Sequence, residues 1–114
     1  MARKSLVHSY KMLNAVAAGS NQTSAATNVE QIDKLSIHCL FSAAASGTFV
    51  VQARNGSSDS WYNLVFGAAL TITSETDVQI LLNECPFTDI RLLWAPSSAS
   101  GTLTATLTMK SVGA

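Results

Sequence analysis

At 114 residues the chain has room for one domain with a single hydrophobic core. Seven basic residues balance seven acidic ones, and charged residues are only 12% of the sequence, about half the usual share, which argues against the basic surface that nucleic-acid binding asks for. No apolar run approaches the roughly 20 residues that cross a bilayer, so neither nucleic acid nor membrane is expected as a partner.

So little charge, with abundant Ser, Thr and Ala, suits a surface covered by neighbours in a larger particle. The start, Met1 to Lys11, is basic but lacks the apolar segment of a secretory leader, so synthesis in the cytoplasm of the producing cell is expected. Leu6 to Leu13 alternates loosely and fits a first strand or an extended arm. From Ala15 to Asn28 the chain turns to Ala, Gly, Ser, Asn and Thr, the composition of a flexible joint. The organisation expected is therefore an N-terminal arm and flexible segment over residues 1–28 and a β-sandwich domain over residues 29–114.

In that domain Leu35, Ile37, Cys39 and Phe41 alternate with Ser36, His38, Leu40 and Ser42, the period-two pattern of a strand with one buried face. Ala43 to Gly47 reads as a small-residue turn, after which Phe49, Val51 and Ala53 resume the alternation. Arg54-Asn55-Gly56-Ser57-Ser58-Asp59 is a turn cluster. Trp61 to Phe66 predicts an aromatic strand broken at Gly67; Leu70 and Ile72 mark another, and a polar turn at Ser74–Asp77 precedes Val78, Ile80 and Leu82. Pro86 ends that strand. Ile90, Leu92 and Trp94 define the next, and Pro96 to Gly101 leads into the clearest strand of all, Thr102 to Lys110, where Leu103, Ala105, Leu107 and Met109 take one face and threonines the other. Seven to eight short strands joined by turns predict an all-β fold, an antiparallel β-sandwich of jelly-roll type with an extended N-terminal arm. Its core is expected to hold Leu35, Ile37, Phe49, Val51, Ile80, Leu92, Trp94, Leu103 and Leu107.

The residue chemistry gives no sign of an enzyme. His38 and Cys39 are neighbours on a strand and point to opposite faces, which spoils a dyad between them. Glu75, Asp77, Glu84 and Asp89 fall at turns and strand ends, where acids sit for solvation. His8, His38, Cys39 and Cys85 contain no paired metal-ligand spacing, so no catalytic, metal or cofactor site is expected. The two cysteines read as unpaired thiols. Trp61 and Trp94 are expected in the core and Tyr62 at a surface; a rival reading uses Tyr62 and Trp94 as platforms for a sugar ring.

Several stretches carry a resemblance: Thr27-Asn28-Val29-Glu30-Gln31-Ile32-Asp33-Lys34-Leu35-Ser36-Ile37, Gly47-Thr48-Phe49-Val50-Val51-Gln52-Ala53-Arg54-Asn55-Gly56, Asp59-Ser60-Trp61-Tyr62-Asn63-Leu64, Pro86-Phe87-Thr88-Asp89-Ile90-Arg91-Leu92 and Ser100-Gly101-Thr102-Leu103-Thr104-Ala105. Over residues 27 to 114 the chain resembles the head decoration (cement) proteins of short-tailed double-stranded-DNA bacteriophages. The resemblance implies a virion structural protein on the head surface that bridges neighbouring subunits of the major capsid protein in the mature shell, stabilising that state by mass action. It also implies a homo-oligomer, a dimer in preference to a trimer, and no active-site residues carry over. The interface is expected at Leu6, Val7, Tyr10, Met12 and Leu13 of the arm, with Tyr62; removing residues 1–14 is expected to leave the sandwich folded. The alternative is a glycan- or receptor-binding sandwich of a phage tail or fibre protein.

Overall fold

The computed structural model of the chain describes residues 5–30, 32–64 and 70–112, the side chains of Ser5, Leu6 and Val112 excepted. Eight strands run through them: β1 (Ser5–Ala17), β2 (Gln22–Thr23), β3 (Thr27–Asn28), β4 (Lys34–Arg54), β5 (Tyr62–Asn63), β6 (Thr71–Leu82), β7 (Asp89–Ser98) and β8 (Thr102–Val112). All pairings are antiparallel. The main path is β1-β8-β4-β7-β2, with β3 on β7 and both β5 and β6 on β4, so one sheet curls into the two layers of a jelly-roll-like sandwich.

Strand β4 makes the curl. Its first half lies between β8 and β6, with Ile37 opposite both Leu107 and Ile80. Its second half pairs with β7, Phe49 facing Trp94 and Val51 facing Leu92. The expected turn at Ala43–Gly47 is instead a bend inside one continuous strand, marked by register shifts between Leu40 and Ala45 and between Ala45 and Gly47. Small side chains let the strand kink and change layers without crowding its neighbours. Gly47 sits where the layers meet: a Cβ there would come within 2.5 Å of the Trp94 ring and 2.6 Å of the Ala95 carbonyl. The polar stretch Ser74–Asp77 is likewise no turn, since β6 runs through it with Ser74 in the left-handed region at φ 50°.

Period-two alternation drives the core. All nine expected core residues are at most 3% exposed. Phe41 and Phe49 pack against Trp94 with ring centroids 5.0 and 4.6 Å away. On β8, Leu107 is fully buried while Thr106 is half-exposed. Leu107→Ala is accordingly expected to cost about 2–5 kcal/mol. Thr106→Ala should stay within about 0.5 kcal/mol; urea midpoints at unchanged m-value check the pair.

The segment expected as an arm on a flexible joint is part of the sheet. β1 pairs with β8 from Ser5↔Val112 to Ala17↔Thr102. Beyond it, β2 and β3 pair with β7, and Ser24 fills the gap between them: its amide donates to the Leu92 carbonyl (2.9 Å) and its hydroxyl accepts from the Leu92 amide (2.8 Å). The Trp94 indole donates to the Ala18 carbonyl at 2.8 Å, and the Tyr10 hydroxyl bonds that of Thr27. Residue 28 therefore marks no seam in the fold. Few apolar side chains are needed in such a stretch when its backbone groups are satisfied by a neighbouring strand.

Candidate functional site

The residues expected at an interface separate into two groups. Met12 and Leu13 are 9% and 6% exposed and belong to the chain's own core, so the expectation that they face a partner is corrected. The cause is local: register shifts after Lys11 and after Leu13 break the alternation of β1 and turn both neighbours inward. Val7 remains outside at 62% exposure, with Tyr10 and Tyr62 half-exposed. The Leu6 side chain lies outside the described residues.

Val7 belongs to a broader surface, the outward face of β1-β8-β4-β6. Pairing places Val7, Lys110 and Lys34 in one row, Ser9, Thr108, Ser36 and Leu81 in the next, and Lys11, Thr106, His38 and Gln79 beyond. Leu40 follows, flanked by Thr104 and Asp77. Leu40 and Leu81 are 50% and 61% exposed, large apolar side chains on a floor of hydroxyls. A shallow depression of about 250 Å3 opens between Val7, Ser36, Leu81, Thr108 and the two lysines. Lys34 and Lys110 face each other directly across the ladder, an unfavourable placement in isolation. Covering Val7, Leu40 and Leu81 would contribute about 1.5–3 kcal/mol each before ordering costs. Chemically the face can dock a partner, exchanging water for apolar contact and hydroxyl hydrogen bonds. Sequence reasoning passed over Leu40 and Leu81, although signals existed. Leu40 is the one large apolar residue in the wet-face series Ser36, His38, Leu40 and Ser42, and in the Leu81-Leu82 pair one member must point outward.

Of the two tryptophans expected in the core, one is there. Trp94 is buried as expected, but at 1% exposure with its N–H already donated it offers no platform to a sugar, which removes that role from the rival reading. Trp61 is not in the core; it lies half-buried across the side chains of Arg54 and Arg91 on the outward face of the β4–β7 layer.

His38 and Asp77 form an exposed hydrogen-bonded pair on the β4–β6 surface, Cys39 pointing the other way into the core. Among the described residues no group of three or more His, Cys, Asp or Glu side chains is placed to hold a metal ion. Cys39 and Cys85 are free thiols. Burial, reinforced by the Asp77 carboxylate, pushes the Cys39 thiol up to about 12; burial and then Asp33 raise Cys85 less far. The folded state thus keeps the Cys39 proton at pH values where the unfolded chain has lost it. That stabilisation is complete below about pH 9 and declines as pH rises toward 12. Ellman's reagent at pH 8 should modify half-buried Cys85 slowly and Cys39 hardly at all, and both at once after unfolding. Fast modification of Cys39 in the folded protein would contradict its placement.

The architecture defines a class, the antiparallel jelly-roll-like sandwich, and comparisons add relatives in fold. No family model matches the sequence, and comparison with curated proteins gives no match. Among solved structures, the SPBc2 prophage-derived protein YomS superposes with a TM-score of 0.72 over 95% of this chain and 96% of its own, at 13% identity. The tobacco streak virus coat protein matches with a TM-score of 0.56 over 98% of this chain and 86% of its own, at 14% identity. VP2 of the infectious bursal disease virus subviral particle gives 0.51 at 14% identity, covering 94% of this chain, which spans 33% of that one. At such identities the likeness is one of fold: this chain folds like a prophage-derived protein and like viral coat proteins.

Proposed function

We propose that the chain is a virion structural protein, and specifically a head decoration (cement) protein that bridges neighbouring subunits of the major capsid protein on the surface of the mature head. The observation that carries this reading is the outward β1-β8-β4-β6 face, where Val7, Leu40 and Leu81 stand exposed on a threonine- and serine-rich floor. Exposed apolar residues on one sheet face suit a contact surface, and a stiff sandwich suits a protein whose work is adhesion. The fold it shares with viral coat proteins supports the same reading. Sister copies are proposed as further partners, as a symmetric shell presents its sites in symmetric sets. No enzymatic activity, nucleic acid or membrane enters this proposal.

Mixing the purified protein with expanded shells that lack it, followed by sedimentation, tests the reading. Saturable binding to expanded shells, weak binding to unexpanded ones and a higher disruption temperature of the decorated shell are the expected results. Absence of shell binding, with binding to tail components or host-surface glycan instead, would replace it by the tail or fibre alternative.

A further inference from the structure

Three of the stretches that carry the resemblance meet on the other layer of the sandwich. Arg54 faces Asp89 across the β4–β7 ladder, and two residues along Gln52 faces Arg91, while the intervening Ala53 and Ile90 are fully buried. Arg54, Gln52, Arg91 and Asp89 therefore share the outward face. The Arg54 Nε donates to Asp89 Oδ2 at 2.9 Å; the Arg91 Nε donates to Gln52 Oε1 at 2.7 Å, and the Gln52 amide donates onward to Asn63 Oδ1 at 2.8 Å. Trp61 lays its ring against both guanidinium carbons, 4.5 Å from Arg54 and 4.3 Å from Arg91.

We propose that this cluster is a binding site for one carboxylate, that of an Asp or Glu side chain on a neighbouring capsid subunit; the identity of the partner rests on the virion reading above. Each arginine spends its Nε on a neighbour in the sheet, and neither guanidinium makes another hydrogen bond among the described residues. Their Nη groups remain as donors in a fixed fork, the geometry that recognises a carboxylate. Asp89 balances the charge of Arg54, whereas Arg91 has no ion-pair partner among the described residues. The Arg54 and Asp89 side chains are only 21% and 14% exposed, so the site is partly shielded from water and salt. Anchoring through Nε and stacking on Trp61 holds both heads in place before binding, which lowers the ordering cost.

A protein side chain fits better than a sugar. The two guanidinium groups against the Trp61 ring supply positive charge and forked donors, which a carboxylate uses and a neutral sugar does not. Trp and Arg grouped in one patch, here Trp61 with Arg54 and Arg91, are among the residues that dominate protein–protein hot spots. A bridging protein also needs contacts on more than one side, and this cluster lies on a different layer from Val7, Leu40 and Leu81.

Two measurements on the full chain decide the matter: affinity for expanded, undecorated shells, and the arginine Nε–H NMR signals of the free protein during titration with sodium glutarate. Arg91→Gln is expected to bind shells about tenfold to a hundredfold more weakly while still melting cooperatively. Arg91→Lys, which keeps the charge and loses the fork, should fall between; it carries the comparison if Arg91→Gln does not fold. Glutarate should shift the Arg54 and Arg91 signals, and neutral glutaramide should not. Equal shell affinity of wild type and Arg91→Gln, or signals unmoved by glutarate, overturns the site. If wild type ignores shells the virion reading fails, and the glutarate titration still decides whether the carboxylate site exists. A stronger response to 3′-sialyllactose than to glutarate would overturn the assignment to a protein partner.

Discussion

Replacing Trp94 by Ala is expected to cost about 3–5 kcal/mol of folding stability. That loss is comparable with the lower end of the roughly 5–15 kcal/mol that holds a domain of this kind together. Trp94 is the largest fully buried side chain, and it stands on β7 opposite Phe49, close to the bend at Gly47 that joins the two halves of β4. Its ring contacts Phe41 from the first half of β4 and Phe49 from the second, and fills the space that Gly47 leaves bare. Its N–H also satisfies the Ala18 carbonyl, which truncation would leave buried without a donor. Denaturant unfolding should show a variant barely folded at 25 °C. A loss under about 1 kcal/mol would mean that the layers are not joined through this side chain.

Removing residues 1–14 is expected to abolish folding of the isolated chain, the reverse of what the sequence led one to expect. The truncation strips most of the edge strand from β8, leaving ladder groups without partners. It also removes Met12 and Leu13 from the core and the Tyr10 hydroxyl from Thr27. The two apolar side chains contribute about 1.5–3 kcal/mol each. An unpaired β8 edge, with apolar Leu103, Ala105 and Leu107 losing cover, invites association with other chains. The truncated protein should be recovered as aggregate or as a chain with no cooperative melt. A monomer with the wild-type melting temperature would show that β1 is dispensable and that the arm reading was right.

The parts of this fold readable from sequence are those set by local alternation. Thr102 to Lys110 announces β8, with core positions Leu103 and Leu107, because its period is unbroken, and the other seven core positions follow from the same rule on four other stretches. Small residues are ambiguous, because Ala43 to Gly47 suits a turn as well as the bend that β4 makes there. Backbone pairing leaves no trace in composition either: Gln22-Thr23 and Thr27-Asn28 look like a linker but hydrogen-bond to β7. The candidate surfaces were the least readable. Val7, Lys110 and Lys34 come together only once the registers of three strands are known. The Arg54–Asp89 and Gln52–Arg91 contacts join residues 35 and 39 positions apart. Trp61 looked like a core residue for its size, and only the pairing of β5 with β4 puts it beside two arginines.

Function in this protein depends on which surface meets a partner. A cryo-EM map of the parent particle, at a resolution that separates strands, measures this directly. The prediction is a sandwich on the outside of the head with its β1-β8-β4-β6 face against the shell, Val7, Leu40 and Leu81 covered by capsid protein. Density for this chain on the tail, or on the head with those three side chains open to solvent, would contradict it.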